Sequence, residues 1–166
     1  MKKETLIEAQ QTAGFFEANE RVCLGGYFNN LLFFKNLKGG ANSEPSGKLA
    51  EAINKQFTDF SSFKEAFKKV VSQRFLPGWV WLGLLKDGNL IISQTNNQDN
   101  NLMMGIADVQ CTPVLALDLW EHAYWSDHDG EAMGSYLDSF WGVIDWAQVS
   151  ATFESHNLEH KVAPIN

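Results

Sequence analysis

The chain has 166 residues, enough to bury one substantial core or two small layers that share one. It is 45% hydrophobic and 20% charged, the balance of a globular protein rather than of a disordered or repetitive one. Its formal net charge of −7 disfavours nucleic acid as the main ligand, because binders of the usual kind are basic overall.

No apolar run reaches the roughly 18 residues needed to cross a bilayer, so no membrane insertion is expected. The start, Met1-Lys2-Lys3-Glu4-Thr5-Leu6, lacks the apolar stretch of a secretory signal, and Glu4 and Glu8 are out of place in a mitochondrial presequence. An organelle address, if there was one, has been removed or is of another kind. Cys23 and Cys111 have no Cys-x-x-Cys spacing and read as two reduced, mostly buried thiols.

In chain order, residues 4–37 read as helical, with Phe15, Phe16, Val22, Leu24, Phe28, Leu31, Leu32 and Phe34 as apolar positions. Gly14 and the pair Gly25-Gly26 are expected to break or kink this arm. Leu31-Leu32-Phe33-Phe34 is apolar all round, so burial on most sides is expected there. Residues 39–47, rich in Gly, Asn, Ser and Pro, form a linker. Two helices follow: Leu49, Ile53 and Phe57 mark the first, while Phe60, Phe63, Phe67, Val70 and Val71 mark the second, with Ser62 and Glu65 at capping-box spacing. After Pro77-Gly78 the pattern turns to strands. Residues 79–85 and 90–95 flank Asp87-Gly88, a hairpin signal, and residues 112–117 read as a third strand. Tyr136, Phe140, Val143 and Ile144, then Val149 and Phe153, return to helical spacing. The reading is α+β: a helical arm over 1–38, the linker 39–47, a domain over 48–157 with a three-stranded antiparallel sheet flanked by helices, and a tail over 158–166.

Charge is unevenly spread. From Asp118 onward there are nine acids and one base, Lys161, whereas Lys35 to Arg74 holds eight bases and four acids. The basic stretch reads as a solvated helix face, with a peripheral RNA contact as the alternative.

The string Asp118-Leu119-Trp120-Glu121-His122-Ala123-Tyr124 places a carboxylate and an imidazole with three residues between them, donors that suit manganese, iron or zinc. The whole string resembles the C-terminal ligand motif of the iron/manganese superoxide dismutases. Other segments resemble that family in the same order: Glu44-Pro45-Ser46-Gly47-Lys48-Leu49, the Phe60 to Phe67 helix, Pro77-Gly78-Trp79-Val80-Trp81-Leu82, Asn97-Gln98-Asp99, and Phe140 to Trp146. The resemblance implies that family's fold. It also implies ligand roles for Asp118 and His122, a pocket-lining role for Trp79 and Trp120, and an outer-shell role for Gln98, which in the family hydrogen-bonds the metal-bound solvent.

Against the family's Asn-His-Thr-Phe-Tyr-Trp-Asn motif, anchoring on Asn30, Phe33 and Asn36 puts Leu31 where a ligand histidine belongs, and no histidine precedes His122. Two of four metal ligands are therefore missing. The expectation is a non-catalytic structural subunit without a metal cofactor, similar to the superoxide-dismutase-like subunits of the mitochondrial ribosomal small subunit. The alternatives are an active iron or manganese superoxide dismutase, or a subunit of another mitochondrial complex. Leu31 is expected to fill the emptied metal pocket against Trp79 or Trp120. The resemblance further implies a partner chain of the same fold, a second copy or a related subunit, contacted through Glu121, His122 and Trp125, together with other subunits of a large assembly.

Overall fold

Thr5 opens the first helix by a reciprocal cap: its hydroxyl accepts the Glu8 N–H, and the Glu8 carboxylate accepts the Thr5 N–H. The computed structural model describes residues 5–41, 43–74, 76–124 and 132–162. In it, α1 spans Leu6–Gln11, a 3-10 turn carries Ala13–Phe15, and α2 spans Ala18–Lys35. The expected break at Gly25-Gly26 does not occur, since α2 runs through both glycines. Their role is close approach. A Cβ on Gly25 would overlap the Gln98 carbonyl oxygen, and one on Gly26 would lie 3.4 Å from the Gln98 side chain.

Burial of the 31–34 segment is also corrected. Leu32 and Phe33 enter the core, whereas Leu31 and Phe34 remain exposed, so α2 shows an apolar face to solvent. Cys111 is buried as expected, but Cys23 is exposed.

Two helices follow, α3 (Gly47–Phe57) and α4 (Phe60–Ser72). Leu49 and Ile53 form the buried stripe of α3, and Phe63, Phe67 and Val71 that of α4. Asp59, not Ser62, caps α4: its carboxylate accepts the Ser62 N–H at 2.7 Å, which starts the helix earlier than the Ser62/Glu65 pattern suggests.

The sheet consists of β1 (Gly78–Leu84), β2 (Leu90–Asn96) and β3 (Thr112–Asp118), all antiparallel in the order β2-β1-β3. β1 is central and buried along its whole length, which explains its continuous apolar sequence. Pro113 falls on the edge strand β3, where a missing N–H is tolerated. The chain closes with α5 (Glu121–Tyr124), α6 (Ala132–Val143) and α7 (Trp146–Val162). α7 thus continues past residue 158, where the sequence pattern suggests a tail.

Large rings fill the core between helices and sheet. Phe63 meets Phe67, Trp141 and Trp146 at centroid distances of 5.8 to 6.5 Å, and Trp79 stacks on Trp81 at 5.7 Å. The end of α2 is tied to the α6–α7 junction by Lys38 N–H to Val143 O at 2.7 Å and Asp145 N–H to Asn36 O at 2.8 Å. The architecture is the expected α+β arrangement of helices around a three-stranded antiparallel sheet. Among the described residues, no helix is long and apolar enough to cross a membrane.

Candidate metal centre

The β1–β3 register sets Trp79 opposite Asp118, and both side chains are buried. Asp118 is the last residue of β3. Its Oδ1 accepts the Trp120 N–H at 2.8 Å, and its Oδ2 lies 3.5 Å from Nε2 of His122, one helical turn further on. The Asp118 side chain is 5% exposed and that of His122 71%, so the pair joins a buried carboxylate to a surface imidazole. Burial holds the Asp118 carboxyl above its ordinary pKa, partly offset by the Trp120 N–H and by His122. The Tyr136 hydroxyl is pushed far up, first by burial and then by the Asp118 charge. Tyr136 Oη and Trp120 Nε1 are both buried without a hydrogen-bond partner, the kind of orphan group that concentrates at functional sites.

Gln98 contacts the indole nitrogen of Trp79. Its Oε1 accepts from Trp79 Nε1 at 3.1 Å and from Asn29 Nδ2 at 3.4 Å. Two donors on the carbonyl fix the amide orientation and leave Nε2 to serve another acceptor. Asn29 is held in turn by a buried polar chain. Asn100 Nδ2 donates to Asn29 Oδ1 at 3.0 Å and to Gln10 Oε1 at 2.9 Å, and Gln10 Nε2 donates to Leu24 O. All three amide residues are fully buried, so this network positions Gln98 from α1 and α2 together.

Leu31 is not at the site. It is 49% exposed and lines a cavity of about 310 Å³ with Ile7, Phe28 and Lys35, so it does not pack against Trp79 or Trp120. Besides Asn29, α2 faces the site with Gly26, beside Gln98, and Phe33, whose ring centre is 6.0 Å from that of Trp79. Asn30, four residues after Gly26 and three before Phe33, shares their face. Anchoring the motif on Asn29 instead of Asn30 moves the histidine position from Leu31 to Asn30. Asn30 donates through Nδ2 to Gly26 O at 2.9 Å.

The structure therefore brings Asp118, His122, Trp79, Trp120 and Gln98 into one region and leaves Leu31 outside it. Sequence reasoning missed Asn29, Asn30, Gly26 and Tyr136. The spacing of Gly26, Asn30 and Phe33 on one helical face was the available signal for Asn30 and Gly26. Glu121 and His122 are exposed, and Trp125 lies outside the described residues. Arg74, at the end of the basic stretch, is engaged internally: it donates to Pro77 O at 2.8 Å and Asn96 Oδ1 at 3.1 Å.

As a metal site the arrangement is incomplete. Among the described residues, no three His, Cys, Asp or Glu side chains are grouped to hold an ion. Asp118 and His122 are two donors of the right chemistry for iron or manganese, and they do not make a full coordination set alone.

Comparison with known proteins bears on this half-site. Residues 45–152 match the family described as iron/manganese superoxide dismutases, C-terminal domain. A manganese superoxide dismutase of Acinetobacter baylyi is 33% identical over 154 residues, covering 92% of this chain and 67% of that protein. A manganese superoxide dismutase of Pseudomonas putida is 39% identical over 129 residues, and a manganese/iron superoxide dismutase of a Methylomonas species 38% identical over 130, each covering 78% of this chain and 61% of the relative. The chain thus spans about two thirds of the length of the curated relatives it matches. These relatives overturn the expectation of a non-catalytic, metal-free subunit: they are named as enzymes and carry manganese or iron in their names. The pseudoenzyme and mitochondrial ribosomal readings fall with it, as does the expected absence of a cofactor.

Proposed function

The chain belongs to the iron/manganese superoxide dismutase family, and we propose that it serves superoxide dismutation with a manganese or iron ion. The observation that supports this reading is the Asp118–His122 pair, 3.5 Å apart beside Trp79, in a chain similar over nearly its whole length to enzymes so named. When bound, the ion would supply the one-electron chemistry. The protein's own contribution is a buried carboxylate, an imidazole held next to it, and an amide whose carbonyl is tied by Trp79 and Asn29 so that its N–H groups are free to donate. Because Asp118 and His122 do not complete a coordination set, this function requires further donors beyond the two. Glu121 and His122, both on the surface, support a contact with a second chain of the same fold.

The test is metal uptake and dismutation by the purified chain supplied with manganese or iron. Binding that is lost in Asp118→Ala and in His122→Ala, with dismutation above the free-ion background, is the expected result. A chain that takes up neither metal, or takes it up equally well without Asp118 and His122, overturns the reading.

A further inference from the structure

A cavity of about 310 Å³ opens between α1, α2, the start of β3 and α7, and neither Asp118 nor His122 lines it. Its apolar wall is Ile7, Phe28, Leu31, Leu32, Leu102 and Pro113, five aliphatic side chains and one ring. Leu32 and Leu102 are each 8% exposed, so the floor is buried, whereas Leu31 is 49% exposed and marks the edge. The volume is twice the roughly 150 Å³ of an apolar cavity that takes up one benzene. It falls at the lower end of the range of small-molecule sites, which are likewise mostly apolar with a few polar groups.

We propose that this cavity binds a straight-chain monocarboxylate of about ten carbons, its tail against the aliphatic wall and its carboxylate at Lys35. Charge selects the headgroup. Lys35 is the charged residue that lines the cavity, in a chain of net charge −7, and no acid lines it beside Lys35. Among the described residues Lys35 has no carboxylate partner: the ion pairs join Arg21 to Asp99, Lys48 to Glu154 and His122 to Asp118. A lysine at such an edge covers apolar wall with its stem and keeps its ammonium in water. The neutral polar groups agree. Thr152 is already committed, its hydroxyl donating to Gln148 O at 3.1 Å and accepting from Gln148 Nε2 at 3.3 Å. That leaves Gln11 and Thr112 as donors beside Lys35, a set suited to one carboxylate. A phosphate dianion would set two charges against one cation next to an apolar wall, and a charge buried without full pairing is costly. A neutral lipid would leave Lys35 unused. The wall selects the tail, since only Phe28 offers a ring for an aromatic ligand to stack on.

The experiment titrates the full chain with decanoate, below its micelle concentration, by calorimetry and amide chemical shifts. No metal is added, so the outcome is independent of the proposed dismutation. The expected result is saturable binding at a single site, with shifts centred on Phe28, Leu31 and Leu102 and an affinity that falls as salt is raised. Lys35→Gln should weaken decanoate by about tenfold or more and leave decanol unchanged, which removes the preference for the acid. Leu31→Trp puts a larger ring at a half-exposed position and should fill the cavity, abolishing binding of both; circular dichroism checks that it folds. No uptake of decanoate, decanol bound as tightly as decanoate, or decanoate bound equally well by Lys35→Gln or by Leu31→Trp each overturns the proposal.

Discussion

Gln98 has two donors directed at one oxygen, and this makes its contribution separable from its surroundings. Replacing it by Leu keeps the volume but strands Trp79 Nε1 in the interior, while Asn29 Nδ2 keeps its bond to the Gln98 backbone carbonyl. A loss of about 1–3 kcal/mol in chemical denaturation is expected, with a shift of the Trp79 indole resonance as the local signature. Asp118 should behave in the opposite sense. Its pKa is raised on folding, first by burial, so the folded state favours the protonated form. Stability tied to this group is therefore present below the unfolded carboxyl pKa and is lost as pH rises through the higher folded value. Asp118→Asn retains an acceptor for the Trp120 N–H and removes the buried charge. Near neutral pH it should stabilise the fold, by roughly 1 kcal/mol or more, and remove the loss of stability that Asp118 contributes as pH rises through its folded pKa. A variant less stable than wild type at neutral pH would mean that pairing with His122 outweighs burial. The two thiols divide similarly: burial raises Cys111 to about 12, while Cys23 is exposed. In the native chain a thiol reagent near neutral pH should find one group, and two after denaturation.

At the scale of elements, α2 decides what the sequence could and could not show. The strands were legible because β1 is a buried central strand and Asp87-Gly88 fits a tight hairpin. The two helices after the linker were legible from single buried stripes. α2 resisted for two reasons. Its glycines, which suggest a break by propensity, are required by the approach of the loop after β2, a contact between residues about seventy positions apart. Its apolar residues occur on both faces, so periodicity could not tell which side meets the core, and the motif alignment slipped by one residue, from Asn30 to Leu31. Asp118, Trp79 and Gln98 were found because each sits in a distinctive local string. Asn29 and Tyr136 belong to the site only through tertiary contact. Gly25→Ala tests this account directly. By helix propensity alone it should stabilise α2 by about 1 kcal/mol. The overlap of its Cβ with the Gln98 carbonyl should reverse the sign and give a net loss of about 1–3 kcal/mol. Gly26→Ala, whose Cβ meets only the Gln98 side chain at 3.4 Å, should be milder.

At the scale of the whole molecule, the question is whether copies of the chain associate through α5. The Glu121–His122 segment can be used by two copies symmetrically. Glu121 sits on α5 at the rim of a small cleft of about 60 Å³ lined also by Arg74, Leu119 and Tyr124. An acid at that position is solvated in the single chain and becomes costly to leave unpaired once a second chain covers it. Glu121→Ala should therefore weaken association through this face by about tenfold or more, without altering the thermal stability of the isolated chain. Sedimentation of the wild-type and Glu121→Ala chains over a range of concentration decides this, and an unchanged mass for Glu121→Ala would leave the α5 segment as part of the metal centre alone.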